Sequence, residues 1–149
     1  MLEVGCGLGL PGIALARAGA AVTFVDAVAA PLAFVRASLD ANGLAGRLRH
    51  ADFRALDPSE RFDVVLAAEV AYDRAGFDDL ARVFARHLVP DGLGLLADGY
   101  RTDTRPLYRA LGRAGLATAA LDCRVREEGR PVPIRLVEIT APGSPRPRA

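Results

Sequence analysis

The chain has 149 residues, a formal net charge of +1, 51% hydrophobic residues and 25% charged ones. That balance fits one globular domain and excludes a disordered chain or a protein that coats nucleic acid. No apolar run reaches the ~18 residues of a membrane helix, and no cationic leader precedes the first apolar stretch. All 19 cationic side chains are arginine, and they are unevenly placed: residues 1–98 carry 9 against 13 carboxylates, residues 99–149 carry 10 against 5. The basic C-terminal third reads as a solvated surface, with an acidic partner as the alternative. Its group Arg124, Arg126, Arg130 and Arg135 flanks the last predicted hairpin, where charge also blocks edge-to-edge pairing. Two cysteines, Cys6 and Cys123, form neither a disulfide framework nor a zinc spacing, which predicts a reducing, cytoplasmic setting.

Short β-like runs alternate with helical stretches. Residues 1–4 predict a strand that runs into Gly5, Gly7, Gly9 and Gly12. Pro11 suits the first turn of a helix that Gly19 stops. Ala21–Val25 predicts a buried strand ending on Asp26, followed by a helix from Ala29 with Leu32, Val35 and Leu39 on one face and Asn42-Gly43 at its end. Leu48–Ala51 is a weaker strand before Asp52, and Phe62–Ala67 a strand buried on both faces. Phe77, Leu80, Phe84 and Leu88 mark a helix face that Pro90-Asp91-Gly92 terminates, and Leu93–Ala97 is a fifth strand. Thr102 or Thr104 caps a helix carrying Leu107 and Leu111; Ala117–Arg126 and Val132–Thr140 are strands joined across residues 127–131. The Pro-, Ser- and Arg-rich residues 142–149 read as a disordered tail after a single domain, 1–141. The pattern implies a three-layer, Rossmann-like α/β sandwich, its sheet mostly parallel with a C-terminal antiparallel hairpin, and a ligand outside the C-terminal strand ends.

The glycine loop has two readings. Gly7-x-Gly9-x-x-Gly12 matches the dinucleotide fingerprint, with Asp26 near the spacing of a ribose-binding carboxylate. Gly5-x-Gly7-x-Gly9 with Glu3 two residues ahead matches S-adenosylmethionine. The dinucleotide reading needs an apolar strand before its first glycine, whereas Glu3 and Gly5 stand there. A carboxylate also suits a ligand with a cationic sulfonium and ammonium better than an anionic pyrophosphate. Adenosylmethionine is therefore preferred, and a nicotinamide-dependent oxidoreductase is the competing class. In the preferred reading Glu3, Gly5, Cys6, Gly7 and Gly9 form the cofactor loop. Asp26, with Ala27, accepts from the ribose hydroxyls; Asp52 accepts from the adenine amino group, and Phe53 is an apolar wall. For both aspartates, a turn or helix cap is the competing structural role.

Leu2–Gly12, Val22–Asp26 and Phe62–Asp73 together resemble class I adenosylmethionine-dependent methyltransferases, over nearly the whole chain. More narrowly they resemble the seven-β-strand branch that holds the methyltransferase-16-type protein-lysine methyltransferases. The resemblance implies methyl transfer to a nitrogen nucleophile, such as a protein lysine, or else to a small molecule. It places Ala68 against the cofactor and makes Glu69 and Tyr72 an acidic-x-x-aromatic acceptor motif, with Glu69 holding or deprotonating an ammonium. Two departures stand beside it. Such enzymes carry several dozen residues ahead of the glycine-loop strand that cover the cofactor, so a pocket open on one side, or a non-catalytic cofactor-binding remnant, is the alternative expectation. The lysine-modifying relatives often have a Trp after the third strand, and this sequence has no Trp. No metal ligand set, membrane contact or nucleic-acid partner is expected.

Overall fold

The computed structural model describes residues 1–141, so the predicted tail at 142–149 lies outside the described residues. Seven strands form one sheet in the order β3-β2-β1-β4-β5-β7-β6. They are β1 Leu2–Val4, β2 Thr23–Asp26, β3 Arg47–His50, β4 Phe62–Ala68, β5 Leu88–Asp98, β6 Ala117–Glu127 and β7 Arg130–Thr140. The first five run parallel, and β7 pairs antiparallel to both β5 and β6. The helices are α1 Leu10–Arg17, α2 Ala29–Ala41, α3 Phe77–His87 and α4 Arg105–Arg113. This is the expected Rossmann-like architecture, and the strand order reverses direction between β1 and β4, where a ligand crevice forms.

Strand alternation decides which residues enter which layer. Leu2 and Val4 of β1 join Val65, Ala67, Leu96, Val137 and Ile139 under Phe84 of α3 and Leu111 of α4. On the opposite face Phe24 packs with Ala16 of α1 and with Leu32, Val35 and Leu39 of α2, the three α2 positions expected from the spacing. Glu3, between Leu2 and Val4, points to this second face and pairs across the ladder with Leu66. Beside α1 and α2, Leu66, Leu95, Leu121 and Leu136 line an open apolar groove of about 270 Å³ on the same face.

Three boundaries differ from expectation. The helix ends at His87 rather than Leu88, and β5 begins at Leu88, because Leu88 turns extended (ψ 136°). Val89 precedes a proline, which disfavours continued helix. Pro90-Asp91-Gly92 is thus not a helix stop but an irregularity within β5, opposite a register shift between Phe62 and Val64. The last hairpin is tighter than expected: Glu128 and Gly129 carry φ of 48° and 78° and make a two-residue turn. Thr104 precedes α4 as expected, but its hydroxyl donates to the buried Asp98 carboxylate (2.8 Å) rather than capping the helix. Among the described residues no helix is long and apolar enough to cross a membrane.

Phe84 is fully buried between α3 and the sheet. Phe84→Ala is expected to cost about 3–5 kcal/mol, read as a lower midpoint in urea unfolding; a loss below 1 kcal/mol would place Phe84 outside the core.

Candidate functional site

Every residue that the sequence marks for cofactor or acceptor, apart from Glu3 in the middle of β1, lies at or beyond the C-terminal end of β1, β2, β3 or β4, around the point where strand order reverses. Glu3 differs in direction as well. Its side chain is 1% exposed and lies under the glycine loop, where Oε2 accepts the Gly12 N–H (3.1 Å). It therefore holds the loop from below rather than facing a ligand's sulfonium or ammonium. Burial pushes its carboxyl up from 4.5 to about 7, with the Gly12 N–H opposing the rise. Gly12 has no room for a side chain: a Cβ there would stand 2.2 Å from Glu3 Oε2 and 2.4 Å from Phe24 Cε1.

The loop rises from Val4 through Gly5 and Gly7 to Gly9, which starts α1 with φ 68°, a left-handed conformation that glycine adopts without Cβ strain. Its backbone is tied to β2 at two points. Cys6 N–H donates to Val25 O (3.0 Å) and Gly7 N–H to Asp26 Oδ2 (2.8 Å). Asp26 Oδ1 takes the Val28 N–H (2.8 Å), so the carboxylate is fixed between the loop and the start of α2, with Ala27 exposed beside it. Cys6 is buried, and burial, together with the charges of Glu3 and Asp26, pushes its thiol up to about 12. It is a neutral packing group and not a nucleophile.

Asp52 lies two residues beyond β3 and opens the 3₁₀ turn Phe53–Ala55 by accepting the Arg54 N–H (2.9 Å). Its carboxylate also takes the Arg54 guanidinium, and that bond holds its acid form below the usual range. Both the cap role and a charge partner that the sequence reading did not foresee are thus present. Ala27, Asp52, Phe53, Val70, Tyr72 and Phe77 line a hollow of about 210 Å³ beside the loop, suited to one aromatic heterocycle.

The side expected to meet an acceptor is built from β4 and β5. Ala68 ends β4; Glu69 follows with φ 57° and takes a guanidinium from Arg101, whose Nε donates to Oε2 at 2.7 Å. Tyr72 is 66% exposed, an open wall rather than core. At the end of β5, Asp98 is buried and accepts from Tyr100 N–H (3.0 Å) and the Thr104 hydroxyl. Tyr100, at φ 59°, donates its hydroxyl to Asp122 (2.6 Å) under the Arg135 guanidinium, 5.0 Å from its ring. Sequence reasoning missed Asp98, Tyr100 and Arg101, although Asp98 ends its strand as Asp26 does. No group of three or more His, Cys, Asp or Glu among the described residues is placed to hold a metal.

This crevice, with its glycine loop at the β1–β4 reversal and carboxylates at successive strand ends, is that of a class I methyltransferase domain. The chain belongs to that family: the family described as a methyltransferase domain matches residues 1–92. Among curated proteins it is similar to a ubiquinone biosynthesis O-methyltransferase of Bradyrhizobium diazoefficiens, 37% identical over 93 residues, which are 62% of this chain and 37% of that protein. The chain thus aligns with little more than a third of that relative's length. Among solved structures a TehB-like methyltransferase from Corynebacterium glutamicum superposes with a TM-score of 0.77 at 21% identity, covering 94% of this chain and 78% of that one. Magnesium protoporphyrin IX methyltransferase from Synechocystis, solved with S-adenosylmethionine bound, superposes at 0.73 and 19% identity, over 94% and 69%. The likeness in fold is therefore to methyltransferases, and the sequence relatives are O-methyltransferases rather than members of the lysine-modifying branch.

The raised Glu3 carboxyl makes a pH prediction. A folded-state value above the unfolded 4.5 means that this group's stabilising contribution is complete below about pH 4.5 and is lost as pH rises through about 7. The loss is of order 3 kcal/mol. Comparing urea unfolding at pH 5 and pH 8, the wild-type chain should lose more stability than Glu3→Gln; equal losses would show that Glu3 titrates normally.

Proposed function

We propose that the protein is an S-adenosylmethionine-dependent methyltransferase acting on a small-molecule acceptor at the ends of β4 and β5. The cofactor supplies an electrophilic methyl group on a cationic sulfur. The observation that carries the cofactor assignment is Asp26: its carboxylate stands at the end of β2, fixed by the Gly7 and Val28 N–H groups, with lone pairs left for two ribose hydroxyls. The loop backbone of Gly5, Cys6, Gly7 and Gly9 approaches the amino-acid moiety without side-chain obstruction, and Gly7 has open space where a Cβ would stand. The hollow between Phe53 and Val70 takes the adenine, and Asp52 accepts its amino group once Arg54 turns toward Asp79, 3.8 Å away in the present geometry. Ala68 packs at the reacting centre, where positioning and exclusion of water supply most of the acceleration.

The acceptor assignment is supported by the O-methyltransferase relatives, which fit a small-molecule substrate. An amine acceptor is the second reading, favoured by the exposure of Tyr72 three residues after Glu69. Against it, Glu69 already carries the cation Arg101 and is not free to hold an ammonium. A cytoplasmic setting accords with two cysteines left free in the structure.

Calorimetric titration of adenosylhomocysteine tests the reading. Micromolar binding, about −8 kcal/mol, is expected. Asp26→Ala, checked for an unchanged fold, should weaken it by about tenfold or more, as loss of a charge-assisted hydrogen bond does. Unchanged affinity would remove the ribose assignment.

A further inference from the structure

We infer that a second hollow, between the 3₁₀ turn Phe53–Ala55 and α3, binds a phosphate-class dianion that strengthens cofactor binding by drawing Arg54 off Asp52. The linkage rests on the cofactor reading above; the anion site does not. The hollow measures about 260 Å³, and its charged lining is Arg54 from the turn with Asp79, Arg82 and Arg86 from α3. Three guanidinium groups thus stand against one carboxylate.

Local pairing leaves that excess in place. Arg82 donates to Asp79 Oδ1, and Arg54 Nη1 lies 3.8 Å from Asp79 Oδ2, so one carboxylate is shared by two cations. Arg86 makes no hydrogen bond or ion pair among the described residues. It stands four residues after Arg82 on α3, a spacing at which like charges destabilise a helix. His87 also lines the hollow, although it is only 3% exposed. A carbonyl oxygen accepts, so the hydrogen of its Nδ1 goes to the Glu60 carbonyl, 3.0 Å away. Its Nε2 is left with no hydrogen-bond partner among the described residues.

A hydrogen phosphate dianion answers each of these features. Its oxygens accept from Arg82 and Arg86 together and offset their repulsion. Its one hydroxyl donates to the neutral His87 ring. Its two negative charges match the excess that Asp79 leaves. A monoanionic carboxylate would meet only half of that charge, and a cation would add to it.

Arg54 joins this hollow to the cofactor crevice, because it lines both. Its Nε and Nη2 now hold the Asp52 carboxylate, the group assigned to the adenine amino group. An anion beside Arg82 and Arg86 offers Arg54 a second partner on the Asp79 side. One rotation of the side chain then completes the anion's contacts and frees Asp52. Both ligands favour the same position of Arg54, so each strengthens the other by the same factor.

The test is calorimetric titration of the full chain at fixed ionic strength, which holds screening constant. Inorganic phosphate should bind the chain alone at one saturable site, and Arg86→Gln should weaken it by about tenfold. Saturating phosphate should tighten adenosylhomocysteine by about fivefold. That gain should vanish in Arg86→Gln and in Arg54→Gln. Glycerol 3-phosphate in a parallel arm separates the sources: weaker binding than phosphate assigns the free anion, equal or tighter binding an esterified one. No saturable phosphate binding by a folded chain, or equal binding by wild type and Arg86→Gln, overturns the anion site. Phosphate binding that leaves the affinity for adenosylhomocysteine unchanged overturns the linkage. A folded chain that takes phosphate but no adenosylhomocysteine would overturn the cofactor reading instead, which separates the two failures.

Discussion

One buried hydrogen bond, from the Gly12 N–H to the Glu3 carboxylate, fixes the geometry on which the rest of the site depends. A carboxylate in the middle of a central strand is costly unless it is paired or protonated. Here the first turn of α1 supplies the donor, and the helix N-terminus favours negative charge. Because α1 is anchored by its own backbone to β1, the loop between them has a single path. That path brings Gly7 N–H to Asp26 and Cys6 N–H to Val25, locking the loop to the neighbouring strand. The cofactor side of the crevice is thus made mostly of backbone held in register.

The side proposed for the acceptor is built differently. Its residues come from the turns after β4 and β5, and side-chain ion pairs hold them: Arg101 on Glu69, Arg135 on Asp122, and Asp122 in turn accepting from Tyr100. Solvent reaches these groups, and surface ion pairs of this kind contribute little to stability. Their consequence is directional, setting which charges an incoming acceptor meets.

Much of the fold was legible because it is written in local signals. Alternation in β1, the 3–4 spacing of Leu32, Val35 and Leu39, and Pro11 in the first turn of α1 each follow from backbone geometry. The start of β5 was not legible. Leu88 fits the helical spacing, and its pairing with Phe62 draws it into the sheet. Glu3 shows the same limit in the site. Its place in the motif was plain, but the motif alone does not say whether the carboxylate faces the ligand or the loop; packing of α1 on the strand settles that. Arg101 lies 32 residues from Glu69, and no periodicity links them. The narrower likeness to the lysine-modifying branch took Glu69 and Tyr72 as its acceptor motif, without the cation that occupies Glu69.

Adenosylmethionine, and not a dinucleotide, is the ligand expected in the crevice over Glu3 and Asp26. Amide NMR of the chain, titrated in parallel with adenosylhomocysteine and NADH, tests it most directly. Adenosylhomocysteine is expected to shift the amides of Gly5, Gly7, Ala27 and Phe53, and NADH to leave them in place at the same concentration. Saturable shifts of those amides by NADH with none from adenosylhomocysteine would contradict it.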